Sequence, residues 1–419
     1  MATQKRIVIV GAGVVGLCTA HYALQHGHQV TIIERGGRSH DSCSLGNAGM
    51  IVPSHFVPLA APGMVAMGLR MLLRSDSPFA ITPRLDPELI RWCRLFAGNC
   101  NPGHVEKSAP LLRDLNLASR KLYEELSGAW GNTFGLTKRG LLMLCKSEHT
   151  FHEEAAFAEK AHALGLPAEV LSPSETAKTD PGVRMDIAGS VYFPQDCHLT
   201  PQDFVRALTG EVERAGGHIC WDTEVTGWRT AGDRIAAARI AGSEVTADEF
   251  VLAGGSWSAE SLRNLDLRLP LQAGKGYSMT LAKPRQLPTL CSIFTEARVA
   301  VTPMGDTLRF GGTMEITGTD LSISERRVQG IVKSIPKYFP EFTPDDFRSA
   351  PVWTGLRPCS PDGLPYVGRF RKHHNLCAAT GHSMMGVSLG PITGKLVAAL
   401  LSDEKTDIDI QALSPDRYG

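Results

Sequence analysis

Residues 6–35 read RIVIVGAGVVGLCTAHYALQHGHQVTIIER. Ile7 to Val10 is a short apolar run rich in β-branched residues, the pattern of a strand buried on both faces of a parallel sheet. It stops at Gly11, Ala12, Gly13, Val14, Val15, Gly16, after which Leu17 to His26 follows a helical period and ends at Gly27. A second strand, Gln29 to Ile33, leads directly to Glu34 and Arg35. Strand, glycine turn, helix, strand and an acid about 20 residues past the glycines form the arrangement that binds a dinucleotide. Gly11 permits the tight turn, Gly13 lets the backbone approach a pyrophosphate, and Gly16 lets helix and strand pack closely. The helix N-terminus offers unpaired N–H groups to the anion, and the Glu34 carboxylate can accept hydrogen bonds from ribose hydroxyls. An acid there disfavours a 2′-phosphate, so NADP is the least expected dinucleotide, while FAD and NAD both stay open.

Composition narrows the class further. At 419 residues and 43% hydrophobic content, the chain has apolar side chains for about two to three domains. Lysine plus arginine (43) equals aspartate plus glutamate (43), so there is no bulk positive charge for nucleic acid. The ten cysteines are scattered, without a C-x-x-C pair, which fits reduced thiols in a cytoplasmic protein. Lys5 and Arg6 precede an apolar run that stops at Gly11, too short for a signal-peptide core. No stretch reaches the roughly 18 apolar residues of a membrane span. Leu59 to Arg74, with Met64, Met67, Arg70 and Arg74, is a basic amphipathic segment. It reads first as a core-packed helix and second as a docking surface for quinone or the inner membrane face. No G-x-S-x-G, H-E-x-x-H or Walker loop occurs, and no metal site is expected.

After the fingerprint, where a simple NAD fold would continue into a helix, the chain has a small polar loop, Ser42 to Gly49. Ser44, Asn47, Ala48 and Gly49 in that loop resemble the flavin-diphosphate loop of the FAD-dependent D-amino acid oxidase superfamily, most nearly its bacterial D-amino acid dehydrogenases of the small-subunit type. Later segments are similar too. Thr223 to Thr226 is read as a strand after the helix Pro201 to Ala215, with Val225 at the adenine position, and Phe250 to Ser258 as a second strand-to-glycine segment carrying Ala253 and Gly254. The most specific block is Gly355, Leu356, Arg357, Pro358 followed by Pro361, Asp362, Gly363, Pro365, Val367 and Gly368. Leu376 to Thr380, the loop Gly381, His382, Ser383, Met384, Met385, Gly386, and a final helix from about Pro391 to Leu401 match the closing strand, loop and helix, although Ser383 to Gly386 depart from the usual loop residues.

The resemblance implies an α/β fold: a Rossmann-like FAD domain of the glutathione reductase type and a second α+β substrate domain with a large mixed sheet. The expected division is 1–85, 196–265 and 351–419 for FAD and 86–195 and 266–350 for substrate. Within it, Leu111 to Leu126 and His149 to Leu164 read as helices and Gly140 to Cys145 as a strand. Ser172 to Glu175 reads as a capping box with an imitation at Thr200, and residues 270–315 as strands roofing the flavin. The resemblance further implies non-covalent FAD and oxidative deamination of a D-amino acid, or oxidation of a D-imino acid such as D-proline or D-hydroxyproline, with electrons passed to a quinone. A peroxide-forming glycine or sarcosine oxidase and an electron-relay flavoprotein subunit are the alternatives. A guanidinium holds a carboxylate in two places, and Arg357 matches the arginine with that role. Tyr277 and Lys275, in the stretch Lys275, Gly276, Tyr277, Ser278, are candidates to orient substrate or to stabilise reduced flavin, and His55 and His382 to border the substrate. The Gly381 and His382 loop delivers a helix N-terminus, worth on the order of 0.3–1 kcal/mol to a neighbouring negative charge.

Overall fold

The apolar run Ile7 to Val10 needs cover on both faces, and it lies inside a six-stranded sheet, buried along its length after Arg6. The computed structural model describes residues 3–39, 42–72, 78–82 and 84–419. Arg6–Val10 pairs in parallel with Glu249–Leu252 on one side and Gln29–Ile33 on the other. His218–Cys220 and Leu376–Thr380 extend the parallel order outward, and Tyr366–Arg369 closes one edge antiparallel. One face is covered by the helices Val14–Gln25 and Gly386–Leu401. They approach closely because Gly394 faces the Cys18 backbone, where a Cβ would come within 2.5 Å of the carbonyl carbon. The other face carries a three-stranded antiparallel sheet, Gly227–Ala231, Arg234–Ile240 and Ser243–Thr246, with Trp228 and Ile235 packed on Phe250 and Leu252.

A nine-stranded mixed sheet forms the second layer system. Near one edge lie the ten-residue strands Gln272–Leu281 and Thr307–Ile316, paired with each other, with Val352–Cys359 as the edge strand beside the first and Val299–Met304 beside the second. The helix Glu325–Tyr338 buries Val328, Ile331, Val332 and Ile335 against one face. Between the two sheets, the short strands Met50–Ile51 and Cys197–His198 pair antiparallel.

The expected fold class holds, and several local expectations need correction. The first helix starts at Val14, inside the glycine motif rather than after it. Leu111 to Leu126 is the middle of one helix, Pro102–Ala129, whose Leu112, Leu115 and Tyr123 enter the core of the six-stranded sheet and not that of the substrate sheet. Strands Phe79–Ile81 and Val352–Cys359 belong to the nine-stranded sheet, which departs from the expected division at 85 and 351. Thr223 to Thr226 is no strand; it is an extended segment held by Thr223 N–H on Glu34 O and Thr226 N–H on Arg239 O. Ser172 makes both bonds of its capping box, whereas Thr200 makes no side-chain cap. The last helix begins at Gly386 and runs through Pro391, which normally breaks a helix by lacking an N–H. The carbonyl four residues earlier, Val387 O, accepts the Tyr123 hydroxyl at 2.5 Å instead. Met64–Leu72 is a helix with none of its described side chains buried, Val65 and Leu69 being exposed, so it is not core-packed; Leu73 and Arg74 lie outside the described residues.

Candidate active site

At the C-terminal edge of the parallel sheet is a cavity of about 640 Å³. It is where a doubly wound sheet binds its ligand. Gly11 takes φ +107°, and a Cβ there would come 2.6 Å from Ala253 O, so the turn admits no other residue. Gly13 faces open space, with only Ser44 Oγ near its hypothetical Cβ at 3.5 Å. Ser44 Oγ accepts the Val14 N–H at 3.0 Å, placing a hydroxyl beside the helix N-terminus. The N-terminus of Gly386–Leu401 meets the same cavity at Gly386 and Val387, and neither helix has an acid in its first turn. Two positive helix ends with no acid in their first turns, on one cavity, suit phosphates at one and a developing anion at the other.

Glu34 lines the cavity and accepts the Ala12 N–H at 2.7 Å and the Gly36 N–H at 2.8 Å, one on each oxygen. Each oxygen keeps a further lone pair for a ribose hydroxyl. Arg35 stacks its guanidinium 3.5 Å from the Trp257 ring centre, and with Val225 these groups form an aromatic and apolar wall at that end. This donor set fits FAD. Of the residues expected to hold the cofactor, Gly11, Gly13, Val14, Val15, Glu34, Arg35, Ser44, Asn47, Val225, Ala253, Gly254, His382 and Gly386 line this cavity. Ala12, Gly16, Gly49 and Gly381 do not line it. Ala12 serves Glu34, and a Cβ on Gly16 would overlap Gly11 O. Gly49 and Gly381 take positive φ in loops that frame the site.

A second cavity of about 530 Å³ shares Cys43, Asn47 and Gly355 with the first, so the two are contiguous. Ala48, Met384 and Met385 line this one rather than the cofactor cavity. Its walls are mostly apolar, from the helix Met64–Leu72, from Phe79 and Ile81 and from the face of the nine-stranded sheet turned away from helix Glu325–Tyr338. Arg357 enters from that sheet. Opposite Gly276, the pairing of Gln272–Leu281 with Thr307–Ile316 slips by a bulge at Thr313 and Met314. Thr313, β-branched, is held at φ +68°, and its carbonyl accepts Arg357 Nη1 at 2.7 Å. Bulges and strained residues of this kind re-aim groups at functional sites. Among the described residues no carboxylate pairs with Arg357. A guanidinium without a counter-ion in an apolar cavity has the geometry and charge to receive a carboxylate.

The other expected site residues divide. His55 lines the second cavity; burial and nearby Arg298 pull its imidazole down to about 4, so it is neutral. Tyr277 borders it too, but its side chain packs on the opposite face of the sheet with helix Glu325–Tyr338, its hydroxyl accepting Ser324 N–H and reaching Glu315 at 3.4 Å. It is therefore not free to orient a substrate. Lys275 touches neither cavity; its ammonium is bound to Asp320 at 2.8 Å and Ser322 O at 2.9 Å, in a cluster with Glu315 and Arg327. This lysine is a structural ion pair. His382 belongs to the cofactor cavity, not the substrate side, and its Nε2 is tied to Thr393 Oγ1 at 2.9 Å. Burial pulls it down to about 3.

Three polar features escaped sequence reading. Arg298 lines the second cavity from a turn at φ +54°. Arg309 is 5% exposed and lies beneath the loop at Ser44 to Gly49, donating to Leu45 O at 2.9 Å, Asn47 O at 2.7 Å and Thr280 Oγ1 at 3.0 Å. Burial pulls its guanidinium down to about 10, still charged at neutral pH. Asp196, 1% exposed, accepts both the N–H and O–H of Ser54. No local motif marks any of them, because each acquires its partner through tertiary contact.

Comparison with known proteins places this architecture. A family described as DAO, FAD dependent oxidoreductase, matches residues 6–400. Proteins named D-amino acid dehydrogenase from Xanthobacter autotrophicus and Methylobacterium radiotolerans are each 32% identical to it, the first over 99% of both chains and the second over 98% of this chain and 99% of its own. Among solved structures, glycine oxidase from Geobacillus kaustophilus superposes with a TM-score of 0.79 at 23% identity, covering 99% of each chain. L-proline dehydrogenase from P. horikoshii does so with a TM-score of 0.72 at 17% identity, over 100% of this chain and 98% of its own. The glycine turn, the paired helix ends and the second sheet thus have one explanation: the chain belongs to the DAO family of FAD-dependent oxidoreductases.

Proposed function

We propose that the protein oxidises a D-amino acid, or a D-configured imino acid such as D-proline or D-hydroxyproline, at Cα and passes the electrons to a quinone-type acceptor. The observation that carries this reading is Arg357, an uncountered guanidinium in an apolar cavity that opens into the cofactor cavity. FAD, when bound, supplies the acceptor for the hydride that leaves Cα. Arg357 binds the substrate carboxylate, and its hydrogen bond to Thr313 O fixes the plane of the fork. The apolar walls receive the side chain or ring and keep water from the reacting carbon. They favour a substrate with an apolar body over glycine.

The names of the 30–32% identical relatives, D-amino acid dehydrogenase, support the D configuration and an acceptor other than oxygen. Among the described residues no helix is long and apolar enough to cross a membrane. Exposed Val65 and Leu69, on a helix that lines the substrate cavity, support contact with a membrane surface that carries the quinone.

Turnover of paired D and L substrates with a soluble quinone analogue, measured against oxygen uptake, tests the proposal. It predicts 2-oxo acid, or cyclic imine, from the D form only and faster with quinone. Equal or faster turnover with oxygen, releasing peroxide, would replace the acceptor assignment, and turnover of the L form alone would overturn the stereochemistry.

A further inference from the structure

The strands Met50–Ile51 and Cys197–His198 pair across the middle of the molecule, and their neighbours Ser54 and Asp196 meet as a result. Ser54 Oγ donates to Asp196 Oδ2 at 2.5 Å, and Ser54 N–H donates to Asp196 Oδ1 at 3.1 Å. The same Ser54 Oγ lies 3.0 Å from His55 Nδ1. His55 lines the substrate cavity, and its Nε2 has no protein partner among the described residues. A buried carboxylate is thus joined through one hydroxyl to an imidazole that faces the substrate.

The direction of these bonds sets the tautomer. With Asp196 ionised, the Ser54 hydroxyl proton points to Asp196, so Ser54 Oγ accepts from His55 Nδ1–H and Nε2 keeps its lone pair for the cavity. With Asp196 protonated, both bonds of the Ser54 hydroxyl reverse and Nε2 carries the proton. We infer that Asp196, Ser54 and His55 form a proton relay in which His55 Nε2 takes a proton from the substrate ammonium and Asp196 stores it.

This rests on the amine-oxidation reading above, and it supplies what that reading lacks. Hydride can leave Cα only with the nitrogen lone pair free to form the C=N bond, so an ammonium must first lose a proton. The transfer balances: one proton passes from substrate nitrogen to Nε2, that of Nδ1 passes to Ser54 Oγ, and that of Ser54 passes to Asp196 Oδ2. No electrons move in this step. Arg298 and Arg357, both lining the cavity, favour loss of a positive charge from the substrate.

The groups facing Asp196 are Arg120 from helix Pro102–Ala129, Cys197 beside it and Cys291 from the strand Cys291–Phe294 of the nine-stranded sheet; Arg298 faces His55. Arg120 pairs with Glu124 at 3.0 Å and reaches Cys197 Sγ at 3.4 Å, so it opposes burial of Asp196 only at a distance. Burial dominates and raises the Asp196 carboxyl to about 7, while His55 stays neutral. An acceptor near neutrality is matched to its task.

The test uses the FAD-loaded enzyme, Asp196→Asn, Ser54→Ala and the double variant, with kcat/KM followed against pH and the His55 ring nitrogens observed by 15N NMR. The relay predicts a wild-type acid limb near the Asp196 value of about 7. Both single variants should lose at least tenfold above that pH and converge on wild type below it, with no further loss in the double variant. It also predicts His55 protonated on Nδ1 in alkaline wild type and on Nε2 in acid or in Asp196→Asn. A variant deficit equal at all pH values, or a tautomer unmoved by pH and by Asp196→Asn, would overturn it. Should the variants not fold, the wild-type tautomer switch decides. If no amino or imino acid reduces the wild-type flavin, the substrate reading fails, and the tautomer measurement still decides the relay.

Discussion

The Arg357 guanidinium occupies the space that a Cβ on Gly276 would fill. Gly276 sits directly across the strand pair from Gly355, beside the bulge that turns Thr313 O toward Arg357. The two residues are therefore one device, a bare backbone floor with a charged fork lying on it. Gly276→Ala should displace the fork and raise KM for the carboxylate substrate, while FAD content stays at the wild-type level. Unchanged kinetics in a folded Gly276→Ala protein would mean that the fork acts elsewhere.

Removing the fork itself costs more. Arg357→Ala should lose about 1.5–3 kcal/mol of substrate binding, the range for hydrogen bonds to a charged group, or roughly 10- to 150-fold in kcat/KM. Arg357→Lys should recover only part of this, since a point charge replaces a planar fork. Full activity in the alanine variant would leave an electron-relay role as the better account.

Gly13 and Gly16 separate cofactor binding from folding. Gly16→Ala overlaps Gly11 O and should fail to give folded protein. Gly13→Ala meets only Ser44 Oγ at 3.5 Å and should fold, yet lose FAD because its methyl group faces the place of the pyrophosphate. Thermal melting with and without added FAD reads both, and an FAD-saturable Gly13→Ala protein would argue against that placement.

Arg309 holds the loop from Leu45 to Asn47 against the sheet by two carbonyls. Arg309→Met, with similar bulk and no donors, should weaken FAD binding by about 1–2 kcal/mol, roughly 5- to 30-fold in Kd, with little change in the isolated fold. Equal FAD affinity would show that the loop supports itself.

Asp196 should leave a signature in stability as well. Its carboxyl is raised by burial from 3.8 to about 7, so between those values the folded state binds more protons than the unfolded one. Stability then falls as pH rises through that window. Asp196→Asn carries no charge to bury, so its Tm relative to wild type should climb from about pH 5 to about pH 8. A constant difference would place the Asp196 titration elsewhere.

Residues 6 to 34 were legible because the pattern that defines them is local: strand, turn, helix and acid follow within one βαβ unit, although the strand also pairs with Glu249–Leu252. The Ser172 capping box was legible for the same reason. Arg357 stood out only through resemblance, and its geometry depends on a bulge at Thr313, where a β-branched residue takes a conformation that propensity argues against. Tyr277 and Lys275 lie in one short stretch but turn their polar ends to Glu315 and Asp320, a choice made by strand pairing and not by spacing. The Ser54 and Asp196 contact spans 142 positions and needs both sheets in place. Phe79–Ile81 likewise joins the second sheet by pairing with Met314 to Ile316, which no local pattern announces.

In the proposed reaction an amino or imino acid held at Arg357 delivers a hydride to FAD in the adjoining cavity. The most direct measurement is the flavin absorbance of the FAD-loaded protein mixed without oxygen with D- and L-amino acids, glycine, sarcosine and D-hydroxyproline, in wild type and Arg357→Ala. Rapid bleaching of wild type by a D substrate, much slowed in Arg357→Ala at the same concentration, is the predicted result. A flavin that none of these compounds bleaches, or one bleached equally fast in Arg357→Ala, would contradict it.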